Sequence, residues 1–212
     1  MAVPKPSELL EHPFLSRRKI TRELNELQYT ILDIETTGLY PEKSEIIEIG
    51  AIKTNGVKAI DVFTTLIEPD AAIPNEIEVL TGISGEMTLG KPKIKKALAD
   101  FMDFIKDDIL IAHYSDFDIP FIKHHLQKSL GREMKNKVLC TMRIARSAVP
   151  GIKNYKLHTL AEHLGVPVLN RHRAMGDCET TYNVWIKLME VLKKNGIKEL
   201  DKAEALMQPV QT

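Results

Sequence analysis

Tyr29-Thr30-Ile31-Leu32-Asp33-Ile34-Glu35-Thr36-Thr37-Gly38 is an apolar run that ends in two carboxylates and a small, turn-permitting tripeptide. The apolar half reads as a buried strand. Side chains alternate along a strand, so Asp33 and Glu35 point to the same side at its end. Gly38 leaves room for a close turn or for a ligand near the backbone. Working outward, residues 46–53 and 59–67 read as two further strands, and Asn55-Gly56 between them is a strong hairpin signal. The sheet therefore opens as a three-stranded antiparallel meander.

After Pro69 the texture changes. Residues 74–80 predict a short helix ending at Gly82. Residues 92–106 predict a longer one with the stripe Ile94, Ala97, Leu98, Phe101 and Ile105. Residues 108–112 form the fourth strand, followed by a helix over 117–130, and Val138-Leu139-Cys140 a short fifth strand. Helices over 142–148 and 157–164 follow. A last main helix over 177–193 carries Trp185, Leu188, Met189 and Leu192 on one face. The fold class is α/β: a mixed five-stranded sheet, meander plus parallel strands, flanked by helices. Ahead of it, Pro4, Pro6 and Pro13 break up the chain, and Ser16 caps a helix carrying Ile20, Leu24 and Leu27.

The composition, 43% apolar and 27% charged over 212 residues, is that of a soluble globular protein. No segment is apolar enough for a signal peptide or a membrane span. Cys140 and Cys178 form no Cys-x-x-Cys pair, which predicts free thiols and a cytoplasmic location. A net charge of zero hides an asymmetry. Residues 123–156 hold nine Lys or Arg against the single Glu133, and Arg171 and Arg173 flank His172. Between Thr21 and Asp108, acids outnumber bases by seventeen to nine. Such a basic sector is either a plain solvated face or an aid to a phosphate chain approaching carboxylates that repel it.

Two more acidic stretches join the first. His113-Tyr-Ser-Asp116-Phe117-Asp118 crosses from a strand into a helix, with Asp116 placed as the helix N-cap and Asp118 in the first turn, where the helix dipole favours an acid. Phe117 and Phe121 read as core or as stacking platforms, and His113 as a hydrogen-bonded or ligating residue. In His172-Arg-Ala-Met-Gly-Asp177, the link Arg173-Ala-Met-Gly is turn-permissive, so His172 sits on a mobile loop while Asp177 leads the last helix. Four carboxylates, a histidine and no thiolate suit Mg²⁺ or Mn²⁺ better than zinc. No His-Glu-x-x-His, P-loop, Gly-x-Gly-x-x-Gly or Gly-x-Ser-x-Gly occurs, which leaves zinc-protease, ATP, dinucleotide and serine-hydrolase chemistries without support.

In this order and spacing the three stretches resemble the motifs of the DEDDh 3′–5′ exonucleases, in particular proofreading exonucleases of the bacterial DNA polymerase III epsilon type. Leu80-Thr-Gly-Ile-Ser and Cys140-Thr-Met-Arg-Ile-Ala-Arg are supporting similarities, while Tyr114 and Cys140 stand where many members carry Asn and Asp. The resemblance implies a ribonuclease H-like fold, with residues 29–195 the exonuclease domain, 1–28 an N-terminal helical extension and 196–212 a C-terminal tail. It implies two divalent cations on Asp33, Glu35, Asp118 and Asp177, with Asp33 bridging them and His172 as general base. Thr36, Thr37, Gly38 and Leu39 would hold the 3′-terminal nucleotide, with His113 and Phe117 beside it. Expected partners are the 3′ ends of nucleic acid, single-stranded DNA first, and a DNA polymerase subunit, with no membrane. The alternatives are an RNA-directed exonuclease and a non-catalytic polymerase-associated subunit. Residues 1–28 and 203–212 are candidates for docking a polymerase or for self-association, or else an ordinary packing helix and a frayed end.

Overall fold

A computed structural model describes residues 23–208. Five strands form one sheet: β1 (Tyr29–Thr36), β2 (Ile46–Thr54), β3 (Ala59–Leu66), β4 (Ile109–Ala112) and β5 (Val138–Cys140), in the order β3-β2-β1-β4-β5. β1, β2 and β3 run antiparallel, and β4 and β5 lie parallel to β1. This is the mixed sheet that the sequence predicts. The hairpin turn falls at Asn55 and Gly56. There Asn55 Oδ1 accepts the N–H groups of Val57 and Lys58, and Gly56 takes φ 87°.

The helices are α1 (Asn75–Thr81), α2 (Gly85–Thr88), α3 (Ile94–Ile105), α4 (Ser115–Leu130), α5 (Thr141–Ala148), α6 (Leu157–His163), α7 (Ala174–Lys194) and α8 (Leu200–Ala205). Strand alternation sorts the core into two layers. Leu32, Ile34, Ile49 and Ala51 pack with α3 and α4, through Leu98, Phe101, Phe121 and Ile122. Tyr29, Ile31 and Ile52 pack with the helices after β5, through Ile144, Leu160, Trp185 and Leu188. The expected stripe of α3 is buried at Ala97, Leu98, Phe101 and Ile105. Trp185 meets the edge of Tyr29 at 5.4 Å between ring centroids, and the Tyr29 hydroxyl donates to the Leu24 carbonyl at 2.6 Å.

The end of the sheet where β4 begins is pinned by a buried ion pair. Lys53 Nζ stands 2.9 Å from Asp108 and donates to the Phe104 carbonyl, while Gln28 and Thr30 also donate to Asp108. Removing either partner would leave the other charge buried and uncompensated, a cost of about 3–5 kcal/mol.

Three local expectations need correction. The helix predicted through Ile20, Leu24 and Leu27 lies largely outside the described residues. Within them, Leu24–Glu26 is a single 3-10 turn and Leu27 is extended. Asp116 is not the N-cap of α4, because that helix starts at Ser115 with Tyr114 in the cap position. Asp116 instead pairs with Arg143 at 2.6 Å. The last helix begins at Ala174, so Arg173-Ala-Met-Gly is not a turn-permissive link. Residues 196–208 pack back on the domain: Leu24 N–H donates to the Lys198 carbonyl, and Ala203 of α8 is fully buried.

Candidate active site

β1 overruns its parallel neighbour. β4 pairs with Tyr29, Thr30 and Ile31 and then stops, so Asp33 and Glu35 stand beyond its carboxyl end. Open α/β sheets present ligands there. The two carboxylates continue the row of Tyr29 and Ile31, the face turned toward α7.

Two helices bring the rest. α4 leaves directly from β4 and carries Asp118, 4% exposed, in its first turn. α7 carries Asp177 in its first turn, where the positive end of the helix dipole favours a carboxylate. The start of α7 is fixed by a residue that sequence reading passed over. Glu48, on β2 opposite Glu35, accepts the Ala174 N–H at 2.9 Å and forms a two-pronged pair with Arg173, at 2.7 and 3.2 Å. Its signal was one acid inside the apolar run Ile46-Ile47-Glu48-Ile49. Gly50, across from Asp33, lets the helix come close: a Cβ there would lie 2.7 Å from the Ala174 carbonyl carbon.

One oxygen from each of Asp33, Glu35 and Asp177 lies within 4.8 Å of the others, and Asp118 lines the same cleft. The electrostatics match a cluster of repelling charges. Burial, and then the charges of Asp118, Asp177, Glu35 and Glu48, push Asp33 well above the usual carboxylate range. Glu35 is raised to about 8 by burial and by Asp177, Glu48 and Asp118, with Arg173 pulling the other way. Asp118 is also raised, first by burial, although the N–H groups of Ile34 and of Asp118 itself oppose the shift. Asp177 is raised by burial and eased by the His172 N–H, which donates to it at 3.0 Å. An oxygen-only donor set that resists its own ionisation is suited to a hard divalent cation.

His172 precedes α7 with φ 61° and lines the cleft, beside Asp177. His113 also lines it, but both ring nitrogens are engaged: Nε2 lies 2.8 Å from the Tyr155 carbonyl and Nδ1 3.0 Å from Thr141 Oγ1. Burial lowers it to about 4, so it is a neutral imidazole donating through Nε2 and accepting at Nδ1. Phe117 lines the cleft and packs against Phe121, with ring centroids 5.0 Å apart and planes tilted by 45°. Thr36 ends β1 and Thr37, Gly38 and Leu39 form the turn leaving it; none of the four is a wall of this cleft. The Thr36 hydroxyl donates to the Gly38 carbonyl, a Cβ on Gly38 would meet the Ser44 hydroxyl, and Leu39 is exposed. The cleft encloses about 640 Å³. Its other walls include Met142, Arg146, Lys156, Leu157 and Arg171.

A mixed sheet in this order, with acidic side chains at the carboxyl end of its central strand, defines a ribonuclease H-like nuclease fold. The family model RNase_T, described as Exonuclease, matches residues 30–185, and the chain belongs to this exonuclease family. It is 40% identical over 180 residues to a PolC-type DNA polymerase III of Caldanaerobacter subterraneus subsp. tengcongensis, covering 85% of this chain but 13% of that protein. It is 37% identical over 164 residues to the DNA polymerase III subunit epsilon of Aquifex aeolicus, covering 77% of this chain and 81% of that one. Among solved structures, exonuclease X in complex with 5′ overhanging duplex DNA superposes with a TM-score of 0.64 at 27% identity, over 84% of this chain and 99% of that one. Exonuclease I of E. coli with a dT13 oligonucleotide gives a TM-score of 0.70 over 80% of this chain and 42% of that one. At 16% identity it speaks for the fold. No helix among the described residues is long and apolar enough to cross a membrane.

Proposed function

We propose that this protein is a divalent-metal-dependent 3′–5′ exonuclease acting on DNA, of the proofreading or repair type, which releases nucleoside 5′-monophosphates. The observation that carries the reading is the convergence of Asp33, Glu35 and Asp177 within 4.8 Å, with Asp118 on the same cleft. Asp33, Glu35, Asp118 and Asp177 would hold two cations, Mg²⁺ or Mn²⁺, with Asp33 shared between them. When bound, such a pair lowers the pKa of the attacking water and neutralises the leaving oxygen. His172, which lines the cleft beside Asp177, would act as the general base that takes the proton of that water. The segment Thr36–Leu39, which follows the cleft-lining Glu35 and lies at the margin of the cleft, would hold the terminal nucleotide from that side, while Phe117 offers it an apolar wall and His113 fixes the backbone around it. We place the protein in the cytoplasm, beside a replicative DNA polymerase.

The test uses 5′-labelled single-stranded DNA and the matching RNA, with Mg²⁺, with Mn²⁺ and with chelator, and Asp33→Ala alongside. Stepwise shortening of DNA from the 3′ end, lost with chelator and in the variant, is the expected result. Faster shortening of RNA would reassign the substrate, since the 2′-hydroxyl is what separates the two. Tight binding without shortening would leave a scaffolding role in its place.

A further inference from the structure

The cations around the cleft fall into two groups. Arg143 is paired with Asp116, Arg173 with Glu48 and Lys137 with Glu204. Arg146, Lys156 and Arg171 line the cleft, are exposed, and have no carboxylate within ion-pair distance among the described residues; the charge of Arg171 already acts on Asp177, which leaves Arg146 and Lys156. Among the described residues Arg146 reaches only the Met142 sulfur, at 3.6 Å. An unpaired cation on a cleft that also holds four carboxylates is free to take an anion from outside.

The backbone beneath both cations is tied to one residue. His113, at the end of β4, holds the Tyr155 carbonyl with its ring, and its own carbonyl accepts the Met142 N–H at 3.2 Å. Lys156 follows Tyr155, and its N–H is also held by Asn154 Oδ1. Arg146 lies one turn beyond Met142 on α5. The same short segment runs on into α4 and Asp118. His113 therefore sets the spacing between the cations and the carboxylates.

We propose that Arg146 and Lys156 form a phosphate-holding subsite, which takes the backbone phosphates on the 5′ side of the bond being cut. The subsite rests on the exonuclease reading above. It draws the strand past carboxylates that repel it and delivers the 3′ end to them. Charge of this kind acts on the encounter and on ground-state binding, and its contribution falls steeply with salt.

The experiment compares the full chain with R146A/K156A on fluorescein-labelled oligothymidylate. Binding is followed by anisotropy in chelator, and turnover in Mg²⁺, each over a series of salt concentrations. Kd and KM should rise about tenfold, with the loss falling on KM rather than kcat. The slope of log Kd against log salt should shrink by about 1.4, the value for two phosphate contacts on a single strand. R146K/K156R should restore most of the binding. Both side chains are exposed, so the melting temperature reports that the double variant is folded. Coincident KM values and salt slopes for a protein that shortens DNA would overturn the subsite and leave the exonuclease reading standing. Absence of shortening by the unsubstituted protein would overturn that reading, while the anisotropy series would still judge the subsite.

Discussion

Removing one carboxylate from a cluster that repels itself acts on stability and catalysis in opposite directions. The raised pKa values of Asp33 and Glu35 express the cost of keeping these groups charged together in a half-buried site. Asp33→Asn should therefore abolish hydrolysis, while the melting temperature without metal stays level or rises. A fall of several degrees would mean that Asp33 is a structural acid. His172→Ala should cost on the order of 10²–10⁴ in rate, the usual reach of general acid–base catalysis, and single-turnover kinetics would read it. His113 gives the clearest pH effect. Its pKa is about 4 in the fold, against about 6.5 in the unfolded chain. The stability it supports is complete above about pH 6.5 and is lost as pH falls through about 4. Melting curves between pH 4 and 7 should fall more steeply for the parent than for His113→Asn. Parallel curves would show that the imidazole carries no such linkage.

At the scale of elements, the site depends on how closely α7 approaches β2. Gly176 lies within α7, where a Cβ would run into the carbonyl oxygens of Leu169 and Asn170. Gly176→Ala should cost about 1–3 kcal/mol by forced repacking, and more in activity than in stability, because Asp177 is the next residue. Denaturant titration beside a turnover assay would separate the two losses. The contact of α7 with β2 marks where sequence reading ran out. β1, β2, the α3 stripe and the short β5 were legible because each carries its own period and its own turn signals. Asp33, Glu35, Asp118, Asp177 and His172 were legible through three short motifs, and the fold brings them all to one cleft. The start of α7 was not, because its cap is Glu48, 126 positions away from Ala174 in the chain. Local propensity sees Ala-Met-Gly and reads a turn. A buried carboxylate on a neighbouring strand makes it helix. Arg146 and Lys156 were visible as charge, but which cations are already paired is a fact of tertiary structure.

For the whole molecule, the acidic cleft is a liability until a cation enters it. Without metal the carboxylates must stay partly protonated or repel one another. A bound divalent cation would let them ionise and would tie the ends of β1, α4 and α7 together. A divalent cation at about a hundred times its Kd should raise the melting temperature by about 5–10 °C, an effect that Asp33→Asn should largely remove. An equal rise in both proteins would place the cation elsewhere. Anomalous diffraction from crystals soaked in Mn²⁺ with a nucleoside 5′-monophosphate would locate the cations themselves. Two peaks about 3.5–4 Å apart, enclosed by Asp33, Glu35, Asp118 and Asp177, are expected. Strong manganese peaks elsewhere, with none at these four carboxylates, would contradict it.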